Sequence, residues 1–350
     1  MKRETKSKIL NILFIISLII CLYLISDTYA KYVEEVNTSY QSSAKGWKVI
    51  VNDKIIREQT TLSDVITPRF DSNVNMKDGL IVPGREGYFD MEINFEKVGV
   101  PFTVDLNVEQ EAQEDGVYTN LPDFKYLGYS LEESEVIYYN LPDGSDGAEG
   151  YKQLDCLQTT GTQYIDTGVK GSIVNKVESK YVASGTKATF NDITTQCNTD
   201  DRNILIFGQY TDNSDPESTE KTLASTKIYG FKIYMDNIVI REFVPCYRVS
   251  DNVKGMYDMI TGNFLTVSGE GEFSNNSKEL DGCVIDPESD IFTGNKAHAV
   301  GYVRWIDGDG TDESPEDELD NTEDTAFIDD SITSSVKYNA SIILEQYIKD

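Results

Sequence analysis

Apolar and polar residues alternate with a period of two along much of this chain. From Phe89 to Phe95 the apolar set is Phe89, Met91, Ile93 and Phe95; from Val100 to Val108 it is Phe102, Val104, Leu106 and Val108. Trp47 to Val51 and Ala299 to Trp305 read the same way, and Ser335 to Tyr347 reads as a closing strand. This period predicts antiparallel sheets with one face in the core and the other in water. Three further runs, Lys227 to Tyr234, Ile238 to Arg248 and Gly255 to Thr266, are short, rich in β-branched and aromatic residues and bounded by turn residues. Thr261-Gly262-Asn263 is a hairpin turn signal, because a tight turn needs residues that accept positive φ. Tyr126 to Tyr139 has no clear period. No long helical period follows residue 30, so the expected fold is all-β.

Composition divides this all-β chain. Pro142 to Gly150 (PDGSDGAEG) and Ser274 to Lys278 read as linkers. They bracket a stretch that opens with Gly161-Thr-Gln-Tyr-Ile-Asp-Thr-Gly168 and closes at Phe273. The expected organisation is an outer β domain, 31–150 and 276–350, interrupted by an inserted β module, 151–275.

The first thirty residues read differently. Lys2, Arg3, Lys6 and Lys8 precede an apolar run from Ile9 to Ile25, and Thr28-Tyr29-Ala30 places a small residue where a signal peptidase would cut. A helical signal peptide over 1–30, cut between Ala30 and Lys31, predicts a secreted, extracellular or cell-surface protein that meets the membrane only through this segment before cleavage. The rival reading is an uncleaved anchor, since the run is near the minimum length for a bilayer. The charge agrees with an exported chain: 60 acidic against 31 basic residues, net −29, repels nucleic acid and anionic membranes. Past the leader, Cys156, Cys197, Cys246 and Cys283 remain, either paired in one of three connectivities or buried as free thiols.

Two resemblances follow from these residues. GTQYIDTG at 161–168, then KIY-x-x-KIY at 227–234, R-x-F-VPCYR at 241–248 and YD-x-x-TGNF at 257–264 resemble a concanavalin A-like (LamG-like) jelly-roll module. The outer segments resemble the TasA/camelysin family of secreted biofilm-matrix proteins. That likeness lies in Thr28-Tyr-Ala-Lys-Tyr-Val33, Gly46-Trp-Lys-Val-Ile-Val51, Val82-Pro-Gly-Arg-Glu-Gly-Tyr-Phe-Asp-Met-Glu-Ile93, the Arg304-Trp305 strand, Glu323-Asp-Thr-Ala326 and Ile342 to Ile348. It implies a jelly-roll or β-sandwich outer domain, exported and assembling into surface fibres. The departure is the module that separates the family's two halves. The expected function is thus a secreted structural protein of the Gram-positive cell surface or extracellular matrix. Its partner would be itself, through strand exchange, with the leader Lys31 to Tyr40 as the added strand. The alternative is a surface adhesin with lectin-like glycan binding.

Catalytic chemistry finds little support. His298 is the one histidine, so a zinc hydrolase or a Ser-His-Asp triad would hang on it alone, and neither His-Glu-x-x-His nor Gly-x-Ser-x-Gly occurs. No enzyme is expected. The resemblance to concanavalin A-like modules implies glycan contact by aromatic stacking, with Tyr164, Tyr210, Tyr229 and Tyr234 as candidates. Tyr229 and Tyr234 are an odd number apart, so a regular strand would turn them to opposite faces, one into the core. No cofactor is expected beyond calcium, for which Asp307 and Asp309, in Asp307-Gly-Asp-Gly-Thr-Asp-Glu313, pack oxygen ligands closely. That stretch departs from the EF-hand pattern, because Asp312 stands where the sharp turn needs glycine.

From Asp307 to Asp330 there are twelve acidic residues in twenty-four and no basic one, the pattern of a solvated loop. Replacing Gly310 to Asp320 with a short Gly/Ser loop is therefore expected to leave the melting temperature unchanged in the absence of calcium. A calcium-dependent rise in melting that the replacement abolishes would instead make this loop a metal site.

Overall fold

The computed structural model of the chain describes residues 48–56, 59–61, 69–70, 84–110, 124–132, 136–145, 147–183, 186–187, 201–212, 215, 217–235, 238–280, 282–306 and 338–347. These belong to one compact unit, Gly46–Asp350. They are almost wholly β, in antiparallel pairings. Among them no helix is long and apolar enough to cross a membrane.

Two sheets share the first core. A seven-stranded sheet runs in the order Lys54–Ile55, Ile50–Val51, Glu86–Asn94, Lys296–Trp305, Phe124–Leu131, Ile137–Tyr139, with Arg69–Phe70 also against Glu86–Asn94. A four-stranded sheet runs Cys283–Ile285, Phe102–Gln110, Tyr338–Gln346, Gln59–Thr61. The period-2 sets meet here: Phe89, Met91 and Ile93 from one sheet, Phe102, Val104, Leu106 and Val108 from the other, all buried in one cluster with Ile342. Phe95 closes one end of it, edge-on to Phe102 at 5.9 Å and to Phe292 at 5.6 Å between ring centroids.

The second core lies against an eight-stranded sheet, Thr186–Lys187, Lys176–Ala183, Lys227–Met235, Ile238–Arg248, Lys254–Asp258, Phe264–Thr266, joined by Leu157–Gln158 and Tyr151–Gln153. Two short ladders, Ile165–Lys170 with Asn203–Ile206 and Gly208–Tyr210 with Lys221–Leu223, complete it. Leu157, Ile165, Ile206, Ile233, Phe243 and Met256 are buried together. Gly262 takes φ 74 in the turn between the last two strands of the sheet. The strands around this second core come from 151–266, and those around the first from before 140 and after 282.

Three readings change. Tyr126 to Tyr139 is two strands, Phe124–Leu131 and Ile137–Tyr139. The Ala299 strand begins at Lys296, so His298 lies within it, side chain exposed, rather than before it. The third concerns the face expected in water. On the seven-stranded sheet part of that face is dry: Leu127 and Arg304 are each 2% exposed. The second sheet covers it, with Glu242 on Arg304, and a β-bulge in the Phe124–Leu131 strand turns Leu127 onto it. Tyr302 pairs with Gly128 and Val303 with Tyr126, which leaves Leu127 as the extra residue. Tyr126 and Tyr129 then both pack on the first core, while Leu127 turns the other way, against Val244 and Met259 of the second sheet. Gly128 sits at φ 143, where a side chain would also strike the Tyr138 carbonyl.

Within the same sheet Gly301 lies opposite Phe89, and a Cβ there would fall 2.2 Å from the Phe89 ring. Phe89 is 1% exposed, so its ring has nowhere to move. Gly301→Ala is expected to destabilise by about 1–3 kcal/mol through overpacking. Denaturant unfolding measures it, and an unchanged midpoint would disprove the tight fit.

Candidate functional site

The seam where the second sheet lies on the first holds a connected set of buried polar side chains. Alternation sets its chemistry. On the Lys296–Trp305 strand Ala297, Ala299, Val303 and Trp305 enter the first core, so Tyr302 and Arg304 point outward. On the second sheet Phe231, Ile233 and Phe243 enter the other core, so Lys232 and Glu242 point back toward the seam. Glu242 and Arg304 are each 2% exposed. Arg304 Nη1 donates to Glu242 Oε2 at 2.6 Å, and Arg304 Nη2 donates to Glu86. Lys232 Nζ lies 3.0 Å from Glu242 Oε1, and the Tyr139 hydroxyl donates to that same oxygen at 2.8 Å.

Burial alone would raise the Glu242 carboxyl. The Lys232 and Arg304 charges, with hydrogen bonds from Lys232 and Tyr139, outweigh it and hold the group down at about 2. Burial would lower Arg304, and Glu242 and Glu86 outweigh that in turn, holding it above its ordinary range. Tyr139 is raised by burial and then by the Glu242 charge, so it stays a donor. Glu242 is thus ionised with both oxygens engaged, which suits a structural clamp and not proton transfer.

Around the clamp, Leu127, Val244 and Met259 form a buried apolar cluster with Tyr139, Leu141, Tyr257 and Tyr302 packed on it. Lys125 Nζ donates across the seam to the Ile260 carbonyl at 2.7 Å. The Gln153 amide acts as a strand neighbour for Ile137–Tyr139: its Oε1 accepts from Tyr139 N and its Nε2 donates to the Ile137 carbonyl, each at 2.8 Å. Beside these contacts a groove of about 230 Å³ runs between Val136, Ile137 and Leu280 on one wall and Lys180, Tyr229 and Lys232 on the other.

The four candidate tyrosines fall in two places. Tyr164 and Tyr210 come together around Lys221, whose Nζ is 5.2 Å from both ring centroids; Arg202 also covers the Tyr210 ring at 4.5 Å. Arg202 in turn donates to the carbonyls of Asp212, Asp215 and Ser218. A sugar stacking on these rings would compete with Lys221 for their faces. Tyr229 and Tyr234 do not alternate as expected, and neither enters the core. Lys180 pairs with Gly230 and Tyr181 with Ile228, so Tyr229 is the extra residue of a bulge. Both tyrosines are half-buried on the groove side: Tyr229 lines the groove, and the Tyr234 hydroxyl donates at 2.6 Å to Glu178 in its wall.

Ala30 and Lys31 of the cleavage site, the calcium candidates Asp307 and Asp309, and Cys197 lie outside the described residues. Among the described residues no group of acidic, histidine and cysteine side chains could hold a metal ion. Cys156 and Cys246 are buried free thiols, and Cys283 is buried as well. Burial pushes the Cys156 thiol up to about 11 and raises Cys246 as well, which keeps both protonated and unreactive. The pattern of the sequence missed Arg304, Glu242, Lys232 and Tyr139. Their one signal was a charged residue at an outward strand position, which reads as a wet face.

Removing one partner of a buried pair strands the other. Glu242→Leu or Arg304→Met alone is expected to cost about 3–5 kcal/mol, while the two together cost much less than the sum. Denaturant unfolding of the three variants checks this; additive losses would show that the pair is not coupled. The Glu242 carboxyl is lower in the folded state than in the unfolded one. Its stabilisation is therefore present above the unfolded value and lost as pH falls through the folded one. The stability gap between the native chain and Glu242→Gln should close between roughly pH 4 and pH 2.

No protein-family model matches the chain, and comparison with curated proteins and with solved structures gives no match.

Proposed function

We propose that this chain is a secreted structural protein of the Gram-positive cell surface or extracellular matrix. In this reading the first pair of sheets is a TasA/camelysin-like jelly roll, and 151–275 is a concanavalin A-like module carried on its outer face. The chain is exported by its first thirty residues, cut after Ala30, and assembles with copies of itself. Its work is mechanical and adhesive, without catalysis.

One observation supports self-assembly most directly: among the described residues, Gln59–Thr61 ends the four-stranded sheet and pairs on one side only, with Tyr338–Gln346. An edge strand accepts an extended segment from another chain, with backbone hydrogen bonds supplying affinity. The leader Lys31 to Tyr40 is the segment proposed to fill it: it carries Tyr32, Val33 and Val36, too little apolar surface to fold alone. Before cleavage the leader is tethered at the membrane, so cleavage acts as the switch that confines assembly to the outside. The buried clamp fits a load-bearing role, since it fastens the module to its carrier by more than a flexible linker.

The test compares the chain beginning at Lys31 with one beginning at Ser42, by electron microscopy and sedimentation. Filaments from the longer chain alone are expected. Filaments from both would remove the leader as connector, and none from either would remove the assembly reading.

A further inference from the structure

Six large apolar side chains are exposed among the described residues, and four of them, Ile55, Val100, Ile291 and Tyr347, stand at one end of the first pair of sheets. The ladders place them there. Val100 lies in the turn from Glu86–Asn94 to Phe102–Gln110, Ile291 in the connection from Cys283–Ile285 to Lys296–Trp305, and Tyr347 directly after Tyr338–Gln346. Those strands meet at Phe102, which pairs with both Ile285 and Gln346, and at Asn94, which pairs with Lys296. Ile55 pairs with Ile50, and Ile50 with Asn94, at the same level. Single exposed apolar residues are ordinary, but several on one rim mark a contact surface. We propose that this rim is a membrane-contact surface, on which the uncleaved chain rests against electrically neutral lipid.

The rim stands on a packed base. Behind it Phe95, Phe102 and Phe292 meet edge to face in the first core. Val98 and Phe292 supply that core and are buried, while their neighbours Val100 and Ile291 stay 37% and 59% exposed. Tyr347 N donates to the Pro101 carbonyl at 2.9 Å, which sets Tyr347 beside the turn that carries Val100. Branched aliphatic side chains and tyrosine suit the boundary of a bilayer, where the ring enters the apolar side and the hydroxyl stays among the headgroups.

Where the chain enters decides the occupant. Ile50 pairs with Asn94 and Val51 with Ile93, so the described chain enters at this end, at residue 48. Twenty-two residues, 26–47, separate it from the apolar run Ile9 to Ile25, a reach of at most about 75 Å when extended. The inference rests on the reading of the first thirty residues as an export segment: while they hold the chain at a bilayer, this end is where the tether joins. Tethering supplies an effective concentration on the order of millimolar, so four partly exposed side chains need bind only weakly. After cleavage that advantage is lost and the contact lapses. A second copy fits less well. Asp290 is exposed beside Ile291, and two chains of net charge −29 would bring like charges together. Anionic lipid meets the same repulsion, and neutral headgroups do not.

The experiment reconstitutes the full-length chain in phosphatidylcholine vesicles and follows hydrogen exchange by mass spectrometry. Amides of residues 96–101 and 286–295 are expected to exchange about tenfold slower than in the chain beginning at Lys31 mixed with the same vesicles. Those of 248–253, around the exposed Val249 after the Ile238–Arg248 strand, are expected to be unchanged. Val100→Asp with Ile291→Asp, both at exposed positions, should remove the slowing and leave the melting temperature unchanged. Flotation with the vesicles but no slowing at 96–101 and 286–295, or slowing that survives the double substitution, would overturn the inference alone. Slowing that appears without vesicles and grows with protein concentration would also overturn it, and would make a second copy the occupant. A full-length chain that fails to float with the vesicles would remove the export reading and this inference together.

Discussion

The organisation of this molecule rests on one buried ion pair, Arg304 with Glu242. Each charge is almost wholly removed from water. Neither charge could be buried there alone without a cost of several kcal/mol. The pair persists because each partner has further contacts: Glu86 for Arg304, and Lys232 and Tyr139 for Glu242. Three of these groups, Arg304, Glu86 and Tyr139, come from the first pair of sheets, and two, Glu242 and Lys232, from the second. The clamp is satisfied only while the two are in register, so it fixes orientation as well as contact.

The bulge at Leu127 makes this register possible. A regular strand would have sent Leu127 into the first core along with Tyr129 and Leu131. The extra residue turns it outward, where it joins Val244 and Met259 in an apolar patch beside the ion pair. A dry patch next to a charge pair lowers the local dielectric and strengthens the pair's attraction. The same bulge leaves Tyr126 and Tyr129 with their hydroxyls on the carbonyls of Leu106 and Val104, and so forms one wall of a hollow beside the joint. One irregularity in one strand thus serves both the joint and the hollow beside it.

The joint also limits what each part can do. Insertion through two linkers would leave a module free to swing, as interdomain contacts within a chain are usually small and polar. Here Gln153 pairs with the edge of Ile137–Tyr139, Leu280 N donates to the Gln153 carbonyl, and Lys125 reaches the Ile260 carbonyl. These bonds hold the second sheet against the seven-stranded sheet.

Much of the strand content was legible from the chain alone. Phe89, Met91, Ile93 and Phe95, and likewise Phe102, Val104, Leu106 and Val108, are buried as their spacing requires, because side chains alternate across a strand and one face must leave water. The turn at Gly262 followed from the positive φ it must adopt. What the tertiary structure alone decided is which outward faces are truly wet. Arg304, Glu242 and Lys232 occupy the positions that solvated charges would, and no local pattern separates a charge facing water from one facing an opposite charge on another sheet. Bulges escaped notice for a related reason. Tyr229 and Tyr234 were expected on opposite faces because a period of two assumes no extra residue. Whether a strand carries one depends on the ladder beside it, and that partner lies far away in the sequence.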